Sequence, residues 1–173
     1  MALLRGVNVG GHKTFRPAAL AQELTHLGAV NIGAAGTFVI RKRVARAKLR
    51  AELARRLPFG TETAIVDGRE ILELIEKNPF ERAPARADVV RFVSVLCRTP
   101  KQHPPMPMTL PPAGAWQLKI LTRDGPFLLG MYRRNMKAIG DLGKLDRLFG
   151  APVTTRNWNT INAIAAVLNR GQE

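Results

Sequence analysis

The sequence predicts an α+β protein of two subdomains related to the ferredoxin-like fold, and three observations carry that expectation. Short β-branched or aromatic runs alternate with leucine stripes at helical spacing. The first six such segments follow the order strand, helix, strand, strand, helix, strand, a βαββαβ unit within residues 2–66. The second half is a less regular α+β unit that includes a β-hairpin. At 173 residues and 46% hydrophobic, the chain can bury one sizeable core or two small ones, so the expected division is 1–80 and 81–173.

Residues 2–9 read as a strand with Leu3, Val7 and Val9 on one face, broken by Gly10-Gly11. Leu20, Leu24 and Leu27 recur at i, i+4 and i+7, and Gly28 stops that helix. Residues 29–33 and the run Thr37-Phe38-Val39-Ile40 form a hairpin around Gly36. Leu49, Leu53 and Leu57 stripe a helix over 45–57, ended by Pro58, and 61–66 is the next strand. Asp67 and Glu70 are spaced as a capping box opening a helix over 68–77, which Asn78-Pro79 stops. A strand over 88–96 follows. The segment 100–112 holds six of the twelve prolines and must be an extended connection. A hairpin of 116–122 and 127–133 turns at Asp124-Gly125-Pro126. One helix over 135–149 ends at Gly150, and after a short polar run a last helix spans 161–170.

Charge narrows the function classes. Lys and Arg total 27, nineteen of them Arg, against 13 acidic residues, for a net +14 that favours nucleic acid or a phosphorylated ligand as partner. Residues 41–56 carry eight cations (Arg41, Lys42, Arg43, Arg46, Lys48, Arg50, Arg55 and Arg56) against Glu52 alone, half of the whole excess. Lys48 and Arg55 lie opposite the leucine stripe and must be solvated. No segment approaches the roughly 20 apolar residues of a bilayer span. Arg5 stands where a signal peptide needs apolar residues, and Cys97 is the single cysteine, so a reducing, cytoplasmic setting is expected. His12, His26 and His103 are scattered without metal-ligand spacing, and no cofactor is implied.

Two motifs lie outside the basic run. Around Gly10-Gly11, Lys13-Thr14 follows a strand as in phosphate-binding loops, but a Walker A spacing needs glycine at 7 and 12, where Val7 and His12 stand. The pair suits an anion nest or simply a tight turn. Arg5 falls on the face of Leu3 and Val7 and needs a polar partner if that face is buried. Thr154-Thr155-Arg156-Asn157-Trp158-Asn159-Thr160 reads as a polar loop before the last helix, either facing a ligand or anchoring that helix through Trp158. RNA-recognition signatures are missing: of the central strands, only the third offers an aromatic, Phe38. Ser94, the single serine, sits mid-strand, and nothing around Cys97 marks a nucleophile, so catalysis has little support.

Leu3-Leu4-Arg5-Gly6-Val7-Asn8-Val9-Gly10-Gly11, Asn78-Pro79-Phe80 and Thr154–Thr160 together resemble the bacterial family catalogued as domain of unknown function 1697. The resemblance implies two α+β subdomains in a cytoplasmic protein and no particular activity. By position, Arg5, Asn8, Gly10, Gly11, Lys13, Thr155, Arg156, Asn157 and Trp158 match family motif residues. The family's Gln-Ser-Gly-Asn turn reads Ala34-Ala35-Gly36-Thr37 here, keeping only the glycine. Its Ser-Lys-Leu appears as Gly143-Lys144-Leu145 or is displaced to Lys137.

The reading is a non-catalytic polyanion-binding protein, with nucleic acid the first partner and Arg41, Lys42, Arg43, Lys48 and Arg55 its contacts. The alternative is a small-ligand protein or enzyme whose site lies between the subdomains and uses the family-matched residues.

Overall fold

The structure, a computed structural model, describes residues 1–83 and 86–170. It is mixed α+β with two antiparallel sheets, each in its own compact unit. One unit comprises Met1–Lys77 and the chain from Thr160 onward, and the other Asn78–Asn159. The last helix, grouped by sequence with the second half, therefore joins the first unit, where Leu168 lies 2.9 Å from the point a Cβ on Gly68 would occupy.

The first unit runs β1 (Ala2–Leu4), α1 (Pro17–Glu23), a 3-10 turn (Thr25–Leu27), β2 (Ala29–Ile32), β3 (Thr37–Ile40), α2 (Arg46–Arg56), β4 (Thr63–Ile65) and α3 (Gly68–Glu76). Its sheet has the order β2-β3-β1-β4, so β1 is paired on both sides. Burial explains why β1 is entirely apolar: Ala2, Leu3 and Leu4 have no exposed surface. Leu20, Leu24, Leu49 and Leu53 pack with Ala2, Leu4, Phe38 and Ile65 into one core. The stripes read from the sequence are thus the buried faces of α1 and α2.

The first strand is shorter than the expected 2–9. Gly6 and Asn8 have φ of +60° and +54°, outside the extended region, so the chain leaves the sheet after Leu4. Arg5 keeps its amide bonded to the Glu62 carbonyl at 2.9 Å, but no strand face continues to Val7. Gly36 explains why its turn keeps a glycine. Its φ is +68°, the Leu4 amide donates to its carbonyl at 2.8 Å, and an added Cβ would stand 2.7 Å from Val7 and 2.9 Å from Leu4.

The second unit contains β5 (Val89–Leu96), β6 (Met108–Leu110), β7 (Leu118–Asp124), β8 (Phe127–Arg133), α4 (Met136–Leu142), α5 (Leu145–Phe149) and β9 (Val153–Asn157), and α6 (Trp158–Asn169) starts in it. Its sheet order is β6-β7-β8-β5-β9. The hairpin turns at Gly125-Pro126 as expected. Two segments differ from the sequence reading. The helix over 135–149 is two helices, separated at Gly143-Lys144, where Lys144 Nζ donates to Asp141 Oδ1 at 2.6 Å. The polar run before the last helix is strand β9, paired along β5 from Leu96↔Val153 to Phe92↔Asn157, and α6 starts earlier, at Trp158.

Replacing Gly36 with Ala combines a left-handed backbone penalty with a clash against Leu4 and Val7. We expect a loss of about 2–4 kcal/mol in urea denaturation. A loss below about 1 kcal/mol would contradict the tight contact.

Candidate polyanion site

Topology builds the site. Because β1 is antiparallel to both β3 and β4, those two strands run the same way on either side of it, with Ala2 opposite Phe38 in one and Ile65 in the other. Their C-terminal ends emerge at one edge of the sheet, and α2 and α3 begin there.

A cleft of about 490 Å³ occupies that edge. Its walls carry Arg41, Lys42, Arg43 and Arg46 from the β3–α2 side and Arg69 from α3, and Leu49, Ile65 and Leu72 contribute apolar surface. The backbone holds the first two cations in place: the Arg41 amide donates to the Gly28 carbonyl at 3.2 Å and the Lys42 amide to Leu27 at 3.1 Å. Among the described residues the one carboxylate in the lining is Asp67, and it is already engaged. Asp67 Oδ1 accepts from the Arg69 amide at 2.9 Å, while Glu70 Oε2 accepts from the Asp67 amide at 2.7 Å, the reciprocal cap that the sequence predicts. Glu70 also receives Arg46 Nη2 at 3.4 Å, an exposed pair of small energetic weight. Helix α2 has no side-chain cap and no acidic residue in its first turn, so its positive end adds to the cleft.

Farther along α2 the charge is partly offset. Glu52 pairs with Arg55 at 3.1 Å, accepts a short hydrogen bond from Arg56 and lies 3.6 Å from His26. Partial burial pushes its carboxyl up, but the Arg56 hydrogen bond and the surrounding cations outweigh this and hold it below its ordinary value. Of the five cations expected to bind nucleic acid, Arg41, Lys42 and Arg43 therefore share the cleft, whereas Lys48 and Arg55 are exposed outside its lining. Arg46 and Arg69 belong with the first three. The recoverable signal for Arg69 was the βαββαβ order itself, which sends the ends of β3 and β4 to one edge.

The family-matched residues fall in both units. In the first, Gly10 and Gly11 have φ of +57° and +75°, and the His12 amide donates to Val9 at 3.0 Å, a tight turn in which two successive positive φ values favour glycine. Both ends of the Asn8 amide are spent on the fold: Nδ2 donates to Ala34 at 2.8 Å and Oδ1 accepts from the Phe15 amide at 2.9 Å. Arg5 is half-buried, and Lys13, at φ +47°, is exposed on the same loop. In the second unit, Thr155 bonds Ser94 across the β5–β9 pair at 2.5 Å. The Arg156 guanidinium is buried and donates to Thr154 Oγ1 at 2.8 Å and the Thr155 carbonyl at 2.9 Å. Burial brings its pKa down to about 10, an effect that Cys97 opposes. Trp158 packs edge-on against buried Phe80, ring centroids 4.9 Å apart, so the middle and C-terminal family motifs meet in one contact.

Among the described residues no three His, Cys, Asp or Glu side chains converge as a metal site, and no helix is long and apolar enough to cross a membrane. The family model described as "Protein of unknown function (DUF1697)" matches residues 1–107. No curated protein matches the chain. Among solved structures, a conserved bacterial protein from Streptococcus pneumoniae, SP0830, is similar in fold, with a TM-score of 0.62 and 16% identity over 96% of each chain.

A double-mutant cycle of Phe80→Leu and Trp158→Leu, read by denaturant unfolding, should give a coupling of about 0.5–1.5 kcal/mol for the edge-on ring pair. Additivity within about 0.3 kcal/mol would show that the rings pack independently.

Proposed function

We propose that this chain, which belongs to the DUF1697 family of proteins of unknown function, binds a polyanion, and that its partner is the phosphate backbone of a nucleic acid held at the cleft between the ends of β3 and β4. One observation carries the reading: among the described residues five cationic side chains line the cleft, and the one carboxylate there is occupied in capping α3. Arginine forks suit phosphate oxygens, and the uncapped start of α2 reinforces the field. The lining contains no aromatic ring on which a base could stack, so recognition there would follow the backbone rather than the sequence. The end of α2, where Glu52 offsets part of the charge, would contribute less.

Binding to generic single- and double-stranded oligonucleotides should weaken linearly with log salt, at about −0.7 to −0.9 per phosphate contacted. Substituting Arg41, Lys42 and Arg43 together by Ala should reduce that slope by about 2–3, whereas Arg55→Ala should leave it unchanged. No binding at low salt, or an unaltered slope in the triple variant, would overturn the reading.

Asp67→Ser supplies a further test, because serine keeps a helix cap while removing the cleft's carboxylate. Affinity at low salt should rise by about two- to fivefold with thermal stability nearly unchanged. Weaker binding would contradict the assignment of the cleft.

A further inference from the structure

The second unit has a cleft of a different chemistry, about 630 Å³ in volume, where the start of β5, the end of β8 and the end of β9 come together. Here cations and rings occur together. Arg86, Arg91 and Arg134 line it with Tyr132 and Trp158, and Asn157 and Asn159 supply side-chain amides. Among the described residues no carboxylate belongs to the lining.

The neighbours fix some of these groups and leave others open. Arg86 is forked onto Asp88 at 2.9 and 3.2 Å, and Arg91 Nη2 donates to the Ala83 carbonyl at 2.8 Å. Trp158 is set by Phe80, and the Tyr132 ring leans on Phe92 at 5.6 Å. Arg134 is exposed and carries no ion pair among the described residues. It acts on Tyr132 nevertheless: burial pushes the tyrosine hydroxyl up, and the Arg134 charge pulls it back. The hydroxyl is therefore a neutral donor at physiological pH, with a cation beside it.

From this arrangement we infer that the cleft binds a nucleoside monophosphate. A planar base can stack on an aromatic ring, and Tyr132 and Trp158 both line the cleft, each held by its own packing. The Asn159 amide offers a donor and an acceptor to the base edge, and Arg134 with the Tyr132 hydroxyl suits the phosphate. The volume falls in the range of sites for ligands of that size. The inference does not depend on the basic cleft of the first unit, which has cations but no rings.

Calorimetric titration of the whole chain with AMP, adenosine and inorganic phosphate tests it. AMP should bind saturably, and adenosine and phosphate should each bind at least about tenfold more weakly. Arg134→Gln and Asn159→Ala, both at exposed positions, should weaken AMP by about tenfold without lowering the thermal midpoint. The Arg41/Lys42/Arg43→Ala variant should bind AMP as the parent does. The inference fails if AMP does not saturate by about 1 mM, or if phosphate alone binds as tightly. It also fails if the Arg134 and Asn159 variants bind normally, or if the triple variant loses AMP instead.

Discussion

The central strand β1 organises the first unit, although it is three residues long. Ala2 and Leu3 pair with β3 on one side, all three residues pair with β4 on the other, and all three are fully buried. A polar side chain there would lack water and a partner, which explains the uninterrupted apolar triplet. Its antiparallel pairing makes β3 and β4 leave the sheet at one edge, and both following helices begin at that edge. Gly36 lets the β2–β3 turn close down on Leu4 and Val7. The convergence of cations on the cleft follows from this order, since Arg41–Arg46 and Arg69 are far apart in sequence.

The same chain treats its charge in two ways. Along α2, Glu52 gathers Arg55, Arg56 and His26, so one carboxylate offsets part of the charge of that stretch. At the cleft, Asp67 and Glu70 are drawn into the cap of α3, where backbone amides occupy their oxygens. Like charges held near one another work against folding, and their placement at a solvated edge limits that cost. An anionic ligand would relieve it, which links the local electrostatics to the proposed activity. Net charge alone would not have distinguished these two ends of one basic run.

Much of the architecture is legible in the sequence because it rests on local signals. The capping box at Asp67 and Glu70, the stop at Gly28, the leucine stripes and the Gly125 turn each depend on neighbours within a few residues. Features that depend on distant partners are not. Strand β9 reads as a polar loop because its threonines and Arg156 satisfy one another and the facing Ser94, so polarity hides the strand. The separation of α4 from α5 falls at Gly143-Lys144, which no periodicity reveals. For the site, the run 41–46 was visible as charge, whereas Arg69 became relevant only through strand order. Asn8 and Arg156, expected in a ligand site, also make hydrogen bonds within the fold.

The central claim is that binding belongs to one edge of one sheet rather than to a diffuse positive surface. Amide chemical-shift mapping during titration with a short single-stranded oligonucleotide tests that most directly. The account predicts that the perturbed amides cluster at residues 41–46 and 67–69, and that the exposed face of α2 around Lys48 and Arg55 stays still. Perturbations scattered over the basic surface, or centred on α2 beyond the cleft, would contradict it.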